Sequence, residues 1–257
     1  EIGTFWSGQF LAHGIPHRFV VAGASSTFDG ARLLADTKKI CETEIEFWHG
    51  KTRAKQQKPP FKSYVFLLNV VADGGGGLEH RNSTALLCKR DDLPRLGEVK
   101  QTNGYSGLLG LISHEYFHTW NVKRLHPADF SEFDYSQENY TEMLWFFEGF
   151  TSYYDDLLLR RSGLIDDAQY LEVLCKTVNH VRQTPGRKVQ SVAQASFDAW
   201  IKYYRPEPNT PNTTVSYYTK GALVALCFDL TLRHEGKSSL VDVMQALWMK
   251  SHNQASK

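Results

Sequence analysis

Short stretches of alternating or apolar positions dominate the first hundred residues of the chain. Three of them are typical of strands, namely residues 17–24, 64–71 and 84–88. Residues 30–50 instead carry apolar side chains at helical spacing, which predicts one long helix after the first strand. The Lys58-Pro59-Pro60 cluster predicts a break in regular structure, and the glycines at 74–77 predict a flexible turn.

After Asn103-Gly104 the apolar positions follow a helical period. Helices are predicted over residues 107–122, 142–161, 166–181, 191–204, 218–235 and 240–251. A polar loop rich in Pro and Asn is expected at residues 205–214. The pattern therefore predicts an α+β fold, with a mixed α/β part over residues 1–105 and a mostly helical part over residues 106–257.

The composition limits the partners that the chain can have. Of its 257 residues, 42% are hydrophobic, and 29 basic against 28 acidic residues give a net charge of +1. This balance argues against a nucleic-acid partner and against a basic membrane-binding surface, and no apolar run approaches the length of a membrane span. Because the first residue is Glu and no leader follows, we expect a piece of a longer protein, and the compartment is not identified.

The four cysteines do not form a recognisable metal or redox motif. They are Cys41, Cys88, Cys175 and Cys227. Each lies in an apolar or periodic context and none has another at short spacing, so buried free thiols are predicted rather than disulfides.

The segment His114-Glu115-Tyr116-Phe117-His118 carries the chemistry that is easiest to interpret. Side chains four residues apart share one face of a helix, so the two imidazoles can bind one Zn²⁺. Glu115 is rotated away from that line, where its carboxylate can take a proton from a zinc-activated water. The preceding apolar residues make this a core helix, whose polar side chains need partners.

A catalytic zinc needs a third protein ligand. Position 124, where one large group of zinc peptidases has a third histidine, is Arg124, and His126 precedes a proline in an expected turn. Glu148 is the better candidate, because it is a lone carboxylate in a strongly apolar and aromatic helix and so requires a cation. Pairing of Glu148 with an Arg or Lys remains the alternative.

Three long segments, SHEYFHTWNVKRLHP, LWFFEGFTSYYDDLLL and YYTKGALVALCFDL, resemble the glycyl aminopeptidase family of zinc peptidases. The similarity runs from about His17 to Trp248. The resemblance implies a thermolysin-like (gluzincin) catalytic domain with one zinc per chain, bound by His114, His118 and Glu148, and with Glu115 as general base. It also implies flanking domains outside this sequence, an N-terminal β domain and a C-terminal PDZ domain.

The resemblance implies further site residues. Tyr218 matches a tyrosine that stabilises the oxyanion of the reaction, with Tyr217 beside it as a rival. Gly76-Gly77-Leu78-Glu79-His80 resembles a segment that lines the substrate, in which Glu79 would bind the free α-amino group. A flexible hairpin with a solvated Glu79 is the alternative for this segment.

Two positions depart from the pattern of related zinc peptidases. Phe147 stands where an Asn is usual, and Ser152 stands where related enzymes have an Asp that orients a zinc-binding histidine. Asp155 and Asp156 are alternatives for that orienting role, between which the sequence does not choose.

The expected function is zinc-dependent removal of N-terminal residues from peptides with a free N-terminus, and the resemblance adds a preference for Gly or Ala. Two alternatives stay open. One is a zinc endopeptidase that uses the same site, and the other is a non-catalytic scaffold that binds peptides. The oligomeric state is not indicated by the sequence.

Overall fold

The structure of the protein is a computed structural model that describes residues 3–50, 59–130, 132, 134–236 and 238–254. Lys58 of the predicted break lies outside them. The strands are β1 (Phe5–Ala12), β2 (Ile15–Ala22), β3 (Tyr64–Val71), β4 (Gly76–Glu79) and β5 (Ser83–Lys89). The α-helices are α1 (Gly30–His49), α2 (Asn103–Phe117), α3 (Leu144–Arg161), α4 (Asp167–Gln183), α5 (Val192–Phe197), α6 (Thr210–Thr213), α7 (Tyr217–His234) and α8 (Leu240–Gln254).

The chain forms two compact units. The first comprises residues 1–123 and 158–166, and the second comprises residues 124–157 and 167–257. The last residues of α3 therefore belong to the first unit. No helix within the described residues combines the length and the apolar character needed to cross a bilayer.

The first unit is built on a five-stranded mixed sheet with the order β1-β2-β3-β5-β4. β2 pairs parallel to β3, and β3 parallel to β5, whereas the two outer pairs are antiparallel. β1 and β2 are joined by a tight turn at His13-Gly14, where both residues have positive φ (45° and 78°). β4, which carries the glycine-rich segment, is therefore an edge strand.

Two helices cover one face of this sheet. The side chains of Phe19, Phe66 and Leu68 alternate inward and are almost fully buried. α1 packs on β1, and α2 packs on α1, β4 and β5. α1 begins where the Asp29 side chain accepts a hydrogen bond from the Arg32 N–H, and ends before Gly50, whose φ is 72°.

The opposite face of the sheet carries an open apolar groove of about 680 Å³. Its lining includes Val20, Val65, Leu67, Leu78 and Leu87, with Arg18 and Asn69 as polar members.

The second unit is helical. α7 packs against α4, α5 and α8. One of its buried clusters consists of Ala195, Ala199, Val215 and Tyr217. α5 begins with a reciprocal cap, in which Ser191 and Gln194 each accept the other's backbone N–H, and a wider π-helical turn (Ala199–Tyr203) follows it.

The structure confirms the predicted order of a mixed α/β part followed by helices. β2, β3, β5, α1, α3, α4, α7 and α8 all lie within a few residues of their predicted bounds. Residues 191–204 form a short helix and a π-helical turn rather than one helix, and the loop at 205–214 contains the short helix α6.

Four further features differ from the predictions. β1 was not predicted, because its glycine and polar residues weaken the pattern that an edge strand shows. Gly76 and Gly77 are not in a turn, since they pair with Leu87 and Leu86 across β4 and β5. The helix predicted to run to residue 122 ends at Phe117 with His118 as its cap.

The fourth correction concerns the cysteines. All four are free, as predicted, and Cys41 and Cys88 are buried. Cys175 and Cys227 are exposed, because they lie on the solvent-facing sides of α4 and α7.

Candidate active site

α2 presents its two histidines side by side at its C-terminal end. The helix begins with the Thr102 side chain accepting a hydrogen bond from the Tyr105 N–H and ends with His118 still in helical conformation (φ −61°, ψ −16°). The Nε2 atoms of His114 and His118 lie 3.0 Å apart, with the rings nearly perpendicular (84°). Two ligands of a tetrahedral zinc lie about 3.3 Å apart, so the pair fits a shared metal ion.

The second histidine is oriented by a backbone carbonyl. The Nδ1 atom of His118 lies 2.7 Å from the Asn121 carbonyl oxygen, which only accepts, so Nδ1 carries the proton. Nε2 therefore keeps its lone pair for a metal, and this contact fixes the ring. No sequence pattern indicated the role of Asn121, because any residue type supplies a backbone carbonyl.

Glu115 is a residue of α2, and its side chain lies against the edge strand β4. Its side chain is buried, with only 4% of the residue exposed. A β-carbon added at Gly77 would overlap the Glu115 carboxylate, so the β4 backbone lies directly against that carboxylate. A glycine is required at position 77 for this close approach.

Glu79 points to the same side of β4 as the vacant side-chain position of Gly77, because residues two apart share one face of a strand. Leu78 lies on the other face, in the groove of the open sheet side. The Glu79 carboxylate forms an ion pair with Lys123, with Oε1 and Nζ 2.9 Å apart. Glu79 is thus partly buried and paired rather than solvated in a flexible hairpin.

A buried hydrogen-bond chain supports α2 from beneath. The Tyr116 hydroxyl donates to Nε2 of His17, at 2.9 Å, and Nδ1 of His17 donates to the Ile15 carbonyl, also at 2.9 Å. Burial lowers the pKa of His17 to about 4, so its ring is neutral near neutral pH. α2 is therefore connected to β2 through uncharged groups.

Glu148 lies on α3, next to a close helix crossing. A β-carbon at Gly149 would lie 2.5 Å from the Gly221 α-carbon, and one at Gly221 would lie 2.5 Å from the Trp145 carbonyl oxygen. The backbones of α3 and α7 therefore touch at this glycine pair. Glu148 is the residue before Gly149, and Tyr218 lies one turn before Gly221 on α7.

The two candidate tyrosines differ in their surroundings. Tyr217 is 1% exposed and belongs to the buried cluster with Ala195, whereas Tyr218 is partly exposed and packs on the edge of that cluster. Burial, and then the charge of Glu148, raise the pKa of Tyr218 far above its usual value. The Tyr218 phenol thus keeps its proton and can donate it in a hydrogen bond.

One group of side chains in the described part of the chain could hold a metal ion. It consists of His114, His118 and Glu148, and the ligand atoms that these residues offer all lie within 4.8 Å of one another. Two imidazoles and one carboxylate form the donor set of many catalytic zinc sites, which leave a fourth position open.

Comparison with protein families places this segment. Residues 107–224 match the model of the M61 glycyl aminopeptidases. Over this segment, which is a little under half of the chain, the protein is similar to the M61 glycyl aminopeptidases. The segment contains the histidine pair, Glu115, Glu148 and Tyr218, whereas Glu79 precedes it.

Two solved structures show a similarity that extends over nearly the whole chain. An aminopeptidase N family protein from Idiomarina loihiensis is 46% identical, with a TM-score of 0.90, over 96% of this chain and 41% of its own. Aminopeptidase A from Legionella pneumophila, in complex with aspartic acid, is 15% identical, with a TM-score of 0.55, over 98% of this chain and 24% of its own. This second likeness is one of fold alone. A comparison with curated proteins found no match.

The chain spans about two fifths of the length of the Idiomarina loihiensis protein. The family whose model matches residues 107–224 is one of aminopeptidases.

The remaining positions that the sequence analysis singled out lie on α3 and in the loop after α2. Phe147 is buried, and Ser152 and Asp156 line a small cavity between helices of the second unit. The Asp155 carboxylate accepts a hydrogen bond from the Asp156 backbone N–H, at 2.6 Å. His126 lies in a loop, as predicted, with Nδ1 donating to the Pro127 carbonyl oxygen at 3.1 Å.

Sequence reasoning missed three features of the site. They are the Asn121 carbonyl that orients His118, the Lys123 partner of Glu79 and the glycine pair Gly149 and Gly221. A glycine in each of two apolar helices was a visible signal for a close helix crossing, but nothing indicated that the two helices meet.

Proposed function

We propose that the protein is a zinc-dependent aminopeptidase, which removes N-terminal residues from peptides. The observation that carries the proposal is the convergence of His114 and His118 beside the buried Glu115. Glu148 completes the ligand set, which the group of three potential ligands supports. A bound zinc supplies Lewis acidity for the hydrolysis of a peptide bond.

Glu115 is the general base in this proposal. Its carboxylate accepts a proton from the attacking water and passes it to the leaving amine. The carboxylate is buried against the β4 backbone, which keeps it in one place and limits its contact with water. Gly77 allows this close approach because it has no side chain. A base that is held in place in this way loses little entropy when the reaction occurs.

Tyr218 is the proposed donor to the oxyanion that develops on the scissile carbonyl. A phenol whose pKa is raised by burial and by the Glu148 charge stays protonated, as a donor must. The hydroxyl groups of both tyrosines lie 3.4 Å from the Tyr204 hydroxyl, but the rival Tyr217 is packed in a buried cluster and is only 1% exposed. Its position favours a structural role.

β4 is the proposed binding edge for the peptide substrate. Gly76 and Gly77 form one edge of the sheet without side chains, so an extended peptide backbone can approach them closely. Glu79 follows on the same face as Gly77, where its carboxylate can bind an α-ammonium group. A carboxylate in this position favours substrates that have a free N-terminus.

The finer fold assignment is part of the proposal. We infer a thermolysin-like gluzincin catalytic domain, with residues 1–105 as its α+β half and 106–257 as its helical half. We also propose a preference for N-terminal Gly or Ala, and the description of the matched family as glycyl aminopeptidases supports the glycine part of it. A PDZ domain and an N-terminal β domain are expected in the longer protein.

The test compares the wild type with Glu115→Gln. The amide keeps the volume but cannot take a proton, so hydrolysis of alanyl p-nitroanilide should fall at least about a thousandfold, with one zinc still bound per chain. Zinc is measured by plasma mass spectrometry. Near-normal kcat in this variant contradicts the role of Glu115, and a fully zinc-loaded wild type without activity would favour a non-catalytic scaffold.

A zinc endopeptidase is the second candidate, because one observation favours it. Glu79 already has an ammonium partner, Lys123, so the site does not depend on a substrate amine to satisfy this carboxylate. N-acetylated peptides decide between the two. Cleavage of acetylated and free peptides with equal kcat/KM supports the endopeptidase.

A further inference from the structure

We propose that Lys123 is a specificity-determining residue, which competes with the α-ammonium group of the substrate for the carboxylate of Glu79. This inference rests on the proposed aminopeptidase function, in which Glu79 binds that ammonium. It adds a residue that limits how tightly the free N-terminus is held.

The geometry of the pair carries the inference. Nζ of Lys123 lies 2.9 Å from Oε1 of Glu79, and the two side chains are 27% and 18% exposed. The ε-ammonium of a lysine and the α-ammonium of a peptide are chemically the same kind of donor. Lys123 therefore provides, within the chain, the interaction that the substrate is proposed to make.

The backbone holds both partners in place. The Lys123 N–H donates to the His118 carbonyl oxygen, at 3.0 Å, which connects the lysine to the C-terminal end of α2. Glu79 ends β4 opposite Thr84 of β5. The ion pair thus joins the edge strand to the segment that follows the proposed metal ligands His114 and His118. Both of its residues belong to the first unit.

A substrate ammonium that reaches Glu79 must displace Nζ or share the carboxylate with it. Sharing brings two cations close together, and displacement breaks a charge-assisted hydrogen bond. Both weaken binding of the free amine. Because the pair is partly exposed, the effect of removing Lys123 is moderate, about a two- to fivefold decrease in KM for free-amine substrates.

The experiment measures kcat and KM for alanyl p-nitroanilide and N-acetyl-alanyl p-nitroanilide in the zinc-loaded enzyme. The variants are Lys123→Met and Lys123→Gln, which remove the charge in two different ways. Lys123→Arg keeps a cation at the position. Lys38→Met removes a lysine from an exposed ion pair with Glu42 on α1 and controls for net charge.

The expected result is a lower KM for the free amine in both neutral variants, with kcat changed less than twofold and the acetylated substrate unaffected. Lys123→Arg and Lys38→Met should resemble the wild type. In a Glu79→Gln background the substitution of Lys123 should have no effect, because the contested carboxylate is gone.

Three outcomes overturn the inference. If the wild type prefers the free amine but neither neutral variant lowers KM, Lys123 does not compete and the aminopeptidase proposal still stands. The same holds if KM falls equally in the Glu79→Gln background. If the wild type cleaves the acetylated substrate equally well, the aminopeptidase proposal itself fails, and the inference fails with it.

Discussion

Replacing Gly149 with alanine tests whether the crossing of α3 and α7 positions the site residues of the second unit. The added β-carbon would lie 2.5 Å from the Gly221 α-carbon, 2.7 Å from the Gly221 carbonyl carbon and 3.0 Å from the Tyr217 carbonyl oxygen. Carbon atoms in contact prefer about 3.5–4.0 Å. The two helices must therefore move apart by about 1 Å at this point.

The displacement has a small cost in stability and a larger one in activity. Overpacking costs about 1–3 kcal/mol, and the better helix propensity of alanine returns about 1 kcal/mol. The free energy of unfolding should thus fall by about 0–2 kcal/mol. Because Glu148 and Tyr218 flank the crossing, a shift of about 1 Å between them should lower kcat/KM on the order of a hundredfold.

The matched control is Gly107→Ala on α2. Apart from its own helix, no described heavy atom lies within 4 Å of a β-carbon at this position. The control should be neutral or more stable by up to about 1 kcal/mol, with unchanged activity. Hydrolysis of alanyl p-nitroanilide, zinc content and urea unfolding are measured for both variants. If Gly149→Ala keeps kcat/KM within twofold of the control, the crossing does not position the site.

Three further predictions concern the tyrosine, the buried histidine and the metal. Tyr218→Phe should lower kcat about a hundredfold with zinc retained, whereas a loss of this size in Tyr217→Phe alone would move the oxyanion role to Tyr217. The pKa of His17 is near 4 in the folded chain and about 6.5 when unfolded, so only the unfolded chain gains a proton as pH falls between these values. Urea unfolding should show stability falling by about 3 kcal/mol more between pH 7.5 and pH 4 in the wild type than in His17→Gln, and equal slopes would refute the assignment. Removal of the metal by a chelator should abolish hydrolysis and lower Tm, and added Zn²⁺ should restore both, while activity that persists without metal contradicts the proposed cofactor.

The elements with strong local patterns were determined by the sequence alone. The period of apolar residues in α1 and α3 and the apolar run of β3 are properties of neighbouring residues, so they predicted these elements closely. The shared face of the two histidines of α2 was equally predictable, because a spacing of four residues brings side chains to one face of a helix whatever the rest of the fold is. The family resemblance followed from the same segments.

Only the tertiary structure decided how distant segments meet. The glycines of β4 form a strand because β5 supplies their hydrogen-bond partners. A glycine is needed at position 77 because the Glu115 carboxylate lies where a β-carbon would be. The pairing of Glu79 with Lys123 joins residues far apart in sequence, as does the contact of Gly149 with Gly221. Local propensity and periodicity act over a few residues, whereas these contacts depend on the packing of whole elements, which no local pattern specifies.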